Sequence, residues 1–360
     1  MMEYVKLGDI CKPKQWKTIS TSDLTAFGYP VYGANGIIGN YKEYNHKKET
    51  ILVTCRGATC GSVNITKPYS YVNGNAMALD NLDKNIDINY LYFYLTYRGF
   101  NDIISGSAQP QIIRSAIEKI LIPVPPIELQ NRLSTLLLNI SKIRGLYQKE
   151  VERLDELIKA RFVEMFGTLH DNKNGFEVVT IEDVCSLIKD GTHQTPQYTE
   201  DKEKGYKFLS SKDVMTQKID WTDIKYIPAE LHKKLYATIK PQRNDILMSK
   251  NGVNYGVAAV NDTDEIFDIY VSLALLRPME IIDPIFFRCV INNLETKRQF
   301  DSSIKGIGVP NLHLGEIKKT RIFLPPMEHQ KEFVAFVDQV DKSKYDAMYV
   351  DINVLEYRCE

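Results

Sequence analysis

The sequence predicts an α+β protein, with two β-rich domains separated by a long antiparallel two-helix coiled coil. Three observations carry this. One junction occurs twice: residues 117–133 read IEKILIPVPPIELQNRL and residues 317–333 read IKKTRIFLPPMEHQKEF. Each copy follows a stretch of short β-like runs broken by Gly, Asn and Pro turn signals. Each copy then opens onto a stripe of apolar residues at helical spacing. The expected boundaries are a first domain at 1–124, a central helix at 125–167, a second domain at 168–324 and a terminal helix at 325–360.

The repeat fixes the frame. At an offset of 200, Pro110 answers Pro310, Gln111 answers Asn311, Pro125-Pro126 answers Pro325-Pro326, Glu128 answers Glu328 and Gln130 answers Gln330. At an offset of 195, ILVTCRGATCGSV (51–63) answers ILMSKNGVNYGVA (246–258). At 174, VKLGDIC (5–11) answers VTIEDVC (179–185). The offset drifts, so shared elements are separated by insertions of unequal size. This is duplication followed by divergence, not a solenoid, whose period runs to roughly 20–50 residues.

In the first domain GYPVYG, ETILVT, GSVNIT and EKILIPV read as strands, and INYLYFYLTYRGF (88–100) as a helix. The second repeats the plan with KFLSS, DILMSK, GVAAV and a helix-like DPIFFRCVINNLE (283–295). From Leu129, apolar or aromatic residues recur at 133, 136, 140, 143, 147, 151, 154, 158 and 162, in steps of three and four. Proline is tolerated in the first turn, Glu128 suits the positive end of the dipole, and Gly167 supplies a stop. Forty residues make a helix of roughly 60 Å. A compact β-rich domain cannot bury that length, so it must pack on a similar helix. Leu133, Leu136, Ile140, Ile143 and Leu154 are expected on its packing face. Phe333, Phe336 and Val340 are expected on the face of the shorter second helix, roughly 50 Å long.

Composition excludes several classes. The chain is 44% apolar and 25% charged, which is ordinary for a globular protein. No apolar run reaches the roughly 18 residues of a membrane span, and MMEYVKLGDI lacks the pattern of a secretory signal. A cytosolic protein with no membrane role is expected. None of the six cysteines forms a Cys-x-x-Cys pair, so reduced thiols are expected and structural zinc is not. Net charge is −1, without a global basic field, yet positive charge clusters locally. Residues 12–48 hold six lysines against Asp23 and Glu43, and residues 202–250 hold eleven Lys or Arg against six acids.

Catalytic patterns are missing or weak. GANGIIG (33–39) matches neither a dinucleotide fingerprint nor a P-loop and reads as a turn. No Asn/Asp-Pro-Pro-aromatic motif of an amino-methylating enzyme occurs; Asp283-Pro284-Ile285-Phe286 lacks the second proline. One nuclease-like spacing exists. Asp190 precedes Glu200-x-Lys202, the pattern of a magnesium-dependent nuclease site, which needs its Glu and Lys on one strand. Here TEDKEKG reads as a solvated loop.

Three motif sets carry a resemblance: the repeated PVPPIELQ and FLPPMEHQ; IKDGTHQTPQY (188–198) with FLSSKDV and NDILMSKNGVNYGVAAV (244–260); and YPVYGANGIIGNY (29–41) with ILVTCRGATCGSV and NGNAMAL. Jointly and in order, these resemble the DNA-specificity subunit of a type I restriction–modification system, across essentially the whole chain. The resemblance implies two target-recognition domains, each reading one half of a split double-stranded DNA target. It implies helices that fix the unread spacer. It implies no catalytic activity and no cofactor here. Two methyltransferase subunits would bring S-adenosylmethionine, and restriction subunits would bring ATP-driven translocation and magnesium.

The halves diverge between shared elements, and specificity is expected there. In the first domain the candidates for DNA contact are Tyr32, Asn35, Asn40, Tyr41, Arg56 and Thr59. In the second they are Thr192, His193, Gln194, Thr195, Lys212, Lys250, Asn251, Asn254 and Tyr255. Asn and Gln grip adenine with two bonds, Lys takes guanine or phosphate, and bidentate arginine–guanine is the commonest specific contact. Gly33, Gly36, Gly57, Gly61, Gly252 and Gly256 are expected to serve turn geometry. The first half lacks DGTHQTP, so a bipartite, non-palindromic target is expected.

Overall fold

The computed structural model describes residues 3–34, 36–106, 109–172, 174–304 and 310–356, the last twelve as helical backbone. The chain divides into two compact units, Met1–Leu146 and Tyr147–Glu360. The strands of the first are β1 (Glu3–Lys6), β2 (Lys12–Gln15), β3 (Tyr29–Gly33), β4 (Gly36–Tyr41), β5 (Ile51–Thr54), β6 (Val63–Ile65), β7 (Tyr71–Val72), β8 (Ala76–Asp80) and β9 (Leu121–Val124). Its helices are α1 (Leu7–Ile10), α2 (Ile88–Arg98) and α3 (Arg114–Ile117). Helix α4 (Ile127–Phe166) begins in this unit and ends in the next.

The second unit holds β10 (Glu177–Thr180), β11 (Cys185–Asp190), β12 (Tyr206–Leu209), β13 (Lys225–Ile227), β14 (Ile246–Ser249), β15 (Ala258–Val260), β16 (Phe267–Ile269), β17 (Leu273–Pro278) and β18 (Arg321–Leu324). Its helices are α5 (Ala229–Tyr236), α6 (Pro284–Ile291), α7 (Leu294–Ser303), α8 (Leu314–Lys319) and α9 (Met327–Glu356).

Both units share one topology. A four-stranded antiparallel sheet runs β2-β8-β5-β6 in the first and β11-β17-β14-β15 in the second. A three-stranded sheet runs β4-β3-β7 in the first and β13-β12-β16 in the second, with the last pair parallel in each. A two-stranded ribbon closes each unit, β1 with β9 and β10 with β18. Each central strand is buried on both faces, which explains apolar runs without alternation. In β5, Ile51 and Val53 join the helix-side core with Met77 and Leu91, while Leu52 joins Tyr32, Val72 and Ala78 on the other side. In β14, Ile246 and Met248 pack with Phe286, while Leu247 packs with Phe267 and Leu275.

The duplicated junction has a physical role. Gln130 is fully buried; its Oε1 accepts from Asp87 N (2.9 Å), and its Nε2 donates to Asn85 O (3.2 Å) and Pro125 O (2.8 Å). Gln330, also fully buried, accepts from Asp283 N (2.8 Å) and donates to Ile281 O (3.1 Å) and Pro325 O (2.8 Å). Asp87 and Asp283 in turn cap α2 and α6 through Tyr90 N and Ile285 N, each at 2.8 Å. One glutamine thus locks the start of a long helix to the start of a domain helix, in both units.

Gly167 follows α4 at φ +74°, as a helix stop requires. Within the second unit, α4 and α9 are antiparallel, since numbers fall along one as they rise along the other. Asp155 pairs with Lys344 (2.6 Å), Arg161 with Glu332 (3.2 Å), and Phe162 and Phe166 pack on Phe333 (5.5 Å each). Val340 is buried, Leu154 is half-buried, and the Arg161 guanidinium lies 6.0 Å from the Phe336 ring. In the first unit Leu133, Leu136 and Ile140 are half-buried. Ile143, expected in the same stripe, is exposed: residues 141–146 face solvent all round among the described residues.

The helix expected over 283–295 is two helices. Asn292 bonds to Ala258 O (2.9 Å) and Ala258 N (3.0 Å), and Asn293 accepts from Glu295 N (2.9 Å). Two consecutive asparagines compete with the helical ladder and end it. Cys11 and Cys185, equivalent in the repeat, both have thiols pushed up to about 12 by burial. Among the described residues, no helix is long and apolar enough to cross a membrane.

Candidate nucleic-acid interface

In the first unit the loop after β5 is a tight turn. Gly61 N donates to Thr54 O (2.8 Å), Cys60 N to Gly57 O (3.0 Å) and Gly57 N to Pro110 O (3.1 Å). Gly57 and Gly61 sit at φ +92° and +93°, where a side chain would be strained. Thr54 and Thr59 hydroxyls donate to Ala34 O (2.6 and 3.4 Å), tying this loop to the β3–β4 turn. Arg56 and Thr59 are therefore exposed beside that turn. Asn35, expected in the same group, lies outside the described residues. Asn40 and Tyr41 are half-buried at the far end of the hairpin. Asn40 donates to Ala26 O (3.3 Å), and Tyr41 meets Tyr71 edge-on (5.4 Å).

The second unit builds the same turn after β14. Gly256 N donates to Ser249 O (2.7 Å) and Gly252 N to Pro310 O (3.0 Å). Asn254 is exposed and Asn251 half-buried. Among the described residues, Asn251 Oδ1 is the buried side-chain polar atom without a hydrogen-bond partner. The DGTHQTP string forms the loop leaving β11. Thr192 N donates to Ile269 O (3.0 Å) and Val271 N to Thr192 O (2.9 Å). Gly191 is required there: a Cβ would lie 2.3 Å from the Ile269 carbonyl oxygen and 2.4 Å from that of Tyr270. Thr192 is half-buried, while His193, Gln194 and Thr195 are exposed.

Three expected contacts are corrected, because their side chains are buried. Tyr32 is 6% exposed, lies in the core between the sheets, and its hydroxyl accepts from Lys67 N (3.1 Å). Tyr255 is 9% exposed, donates to Asp301 (2.5 Å), and its ring lies under Lys297. Lys250 is 4% exposed, with its ammonium 2.6 Å from Asp190. Lys212 stays exposed, with its ammonium beside Asp213 (2.9 Å) and Asp223 (3.1 Å). The basic excess of 202–250 is partly cancelled in the same way, because Lys207 and Arg243 pair with Glu265 and Asp264. Sequence reasoning also passed over Gln111 and Asn311, exposed residues that form bridges with Arg56 and Asn251. The repeat itself carried that signal, since Pro110-Gln111 answers Pro310-Asn311.

The Lys250–Asp190 pair has a neutral counterpart. At the matching positions of the first unit, Gln15 Nε2 donates to Cys55 Sγ (3.0 Å), and burial pushes the Cys55 thiol up. The pair thus occupies a framework position. The nuclease alternative fails on geometry. Glu200 and Lys202 sit in an irregular exposed loop, off any strand, while Asp190 is paired with Lys250. Among the described residues, no three His, Cys, Asp or Glu side chains gather at a metal-binding distance.

The family described as the type I restriction modification DNA specificity domain matches residues 1–154 and again 173–357. The chain belongs to this family. Its specificity domain is present twice, and the chain is a non-catalytic DNA-recognition subunit of a restriction–modification complex. It is similar to the type I restriction enzyme MjaVIII specificity subunit of Methanocaldococcus jannaschii, 22% identical over 94% of this chain and 86% of that one. A shorter match, 31% identical over 36% of this chain and 34% of the other, is to the EcoprrI specificity subunit of Escherichia coli. The fold is similar to the crystal structure of a type I restriction–modification S subunit from M. genitalium. There the TM-score is 0.53 at 15% identity, covering 98% of this chain and 95% of that one.

Proposed function

We propose that each half of this specificity subunit reads one half of a split, non-palindromic DNA target, and that the long helices set the unread spacer. The reading regions are 1–124 and 168–324, and the spacer helices are 125–167 and 325–360. One observation supports this above the rest. A single four-plus-three-stranded frame is built twice, and its matching turns present different side chains. The candidate contacts are Asn40, Tyr41, Arg56 and Thr59 in one half, and Thr192, His193, Gln194, Thr195, Asn251 and Asn254 in the other. Helix α4, at 1.5 Å per residue, is roughly 60 Å long. Half-sites read from one face of B-DNA lie about 34–36 Å apart, within its reach.

The subunit works in the cytoplasm with two methyltransferase subunits, which bring S-adenosylmethionine. Restriction subunits that translocate with ATP and magnesium join them. The test is methylation mapping in a cell carrying the subunit and its methyltransferase partners. A split motif with two unlike halves is expected; an unsplit motif refutes the reading. In vitro, binding by the same complex falls steeply with rising salt. Inserting a heptad near residue 143 changes the preferred spacer and leaves both half-sites intact.

A further inference from the structure

Given two readers as proposed above, we further propose that Arg56–Gln111 and Asn251–Asn311 are equivalent base-reading pairs. Arg56 takes a guanine in the first half-site, and Asn251 with Asn311 takes an adenine at the matching place in the second.

The geometry comes from two isolated bridges. Arg56 opposes Gln111, and Asn251 opposes Asn311, both antiparallel. The hydrogen bonds flank each pair. Gly57 N donates to Pro110 O (3.1 Å) and Ile112 N to Cys55 O (3.0 Å); Gly252 N donates to Pro310 O (3.0 Å) and Leu312 N to Lys250 O (2.8 Å). Such non-hydrogen-bonded pairs bring Cα atoms to about 4.5 Å and set side chains next to each other on one face. The residue after each first member is a glycine in the left-handed region, Gly57 at φ +92° and Gly252 at +85°. The backbone around each pair is therefore built alike in the two units, while the side chains differ.

Three of the four side chains are exposed and free. Arg56, Gln111 and Asn311 are exposed, and none makes a side-chain hydrogen bond or ion pair among the described residues. Asn251 is half-buried, and its Oδ1 is a buried acceptor without a partner, so its amide gains a hydrogen bond by turning out to a base. Lys250, next to Asn251, is buried against Asp190 and does not reach solvent. An arginine fork matches guanine O6 and N7, while an asparagine amide matches adenine N6 and N7. Equivalent bridges carrying Arg in one copy and Asn in the other would thus read different letters at matching positions.

The experiment uses the subunit assembled with its methyltransferase partners, read by methylation mapping and by competition binding against single-base variants of the target. Arg56→Asn is expected to cut discrimination at one guanine of the first half-site by roughly ten- to a hundredfold, leaving the second half-site untouched. Asn251→Arg is expected to alter the second half-site only. Arg56→Lys keeps the charge but loses the fork. It should lose the same discrimination with a smaller drop in overall affinity, which keeps the test open should the Asn variant melt early. The assignment is overturned if Arg56→Asn weakens all sequences alike, as a phosphate contact would, or leaves motif and affinity unchanged. A wild-type complex with no split motif overturns the two-reader proposal itself. An intact wild-type motif that survives Arg56→Asn and Arg56→Lys overturns only the pairing.

Discussion

Replacing Gln330 with leucine tests the duplicated junction directly. Gln330 is fully buried and makes three hydrogen bonds, to Asp283 N, Ile281 O and Pro325 O. Leucine fills similar volume and satisfies none. The bond to Pro325 is fully buried, while the other two are partly buried. An unsatisfied buried polar group costs about 1–3 kcal/mol, so with the partly buried groups discounted the sum is about 2–5 kcal/mol. That is a large part of the roughly 5–15 kcal/mol that holds a typical domain. The chain supplies its own reporters, because its two tryptophans fall one to each unit. Trp16 donates to Asp80 in the first, and Trp221 packs on Phe267 in the second. Urea unfolding is followed by fluorescence in two backgrounds, Trp16→Phe and Trp221→Phe. Gln330→Leu should lower the Trp221-reported midpoint and leave the Trp16-reported one in place, and Gln130→Leu should do the reverse. Equal shifts in both reporters, or none in either, refute the view that each glutamine locks its own unit.

Further outcomes follow from the same packing. Removing one partner of the Lys250–Asp190 pair, as in Asp190→Leu, leaves a charge stranded and should cost about 3–5 kcal/mol. The double change Asp190→Gln with Lys250→Cys copies Gln15–Cys55 and should recover most of that, as read by Trp221 unfolding. Gly191→Ala drives a methyl group into two carbonyl oxygens and should cost about 1–3 kcal/mol, with proteolytic nicking appearing in 192–204. Cys11 and Cys185, with thiols pushed up to about 12, should resist iodoacetamide at pH 8 in the native protein and react once urea unfolds it. Rapid native labelling of either would contradict the raised thiols.

Much of the fold is legible because it rests on local signals. Gly167, Glu128 and the apolar steps from Leu129 mark a helix that the structure places at Ile127–Phe166. The repeated Pro-Pro and Glu-x-Gln strings mark a junction whose two copies carry the same hydrogen bonds. Candidate contacts are harder to read. Tyr32, Lys250 and Tyr255 are polar residues in turn-rich contexts, and local sequence does not say which way they face. Strands such as ILVT and ILMS are buried on both sides, so alternation gives no inside or outside. The break between α6 and α7 was hidden because Asn292 ends the helix by bonding to β15, a contact distant in sequence.

The duplication, the long helix, the β-rich halves and the want of catalytic patterns can all be read from the residues in order. Each of these is written in periodicity, spacing or residue chemistry. It takes the folded chain to establish that both halves are one topology, and which polar residues reach solvent. It alone set Gln111 beside Arg56 and Asn311 beside Asn251. The reason is that exposure and cross-strand pairing are set by long-range register, where a shift of one residue turns every side chain to the other face.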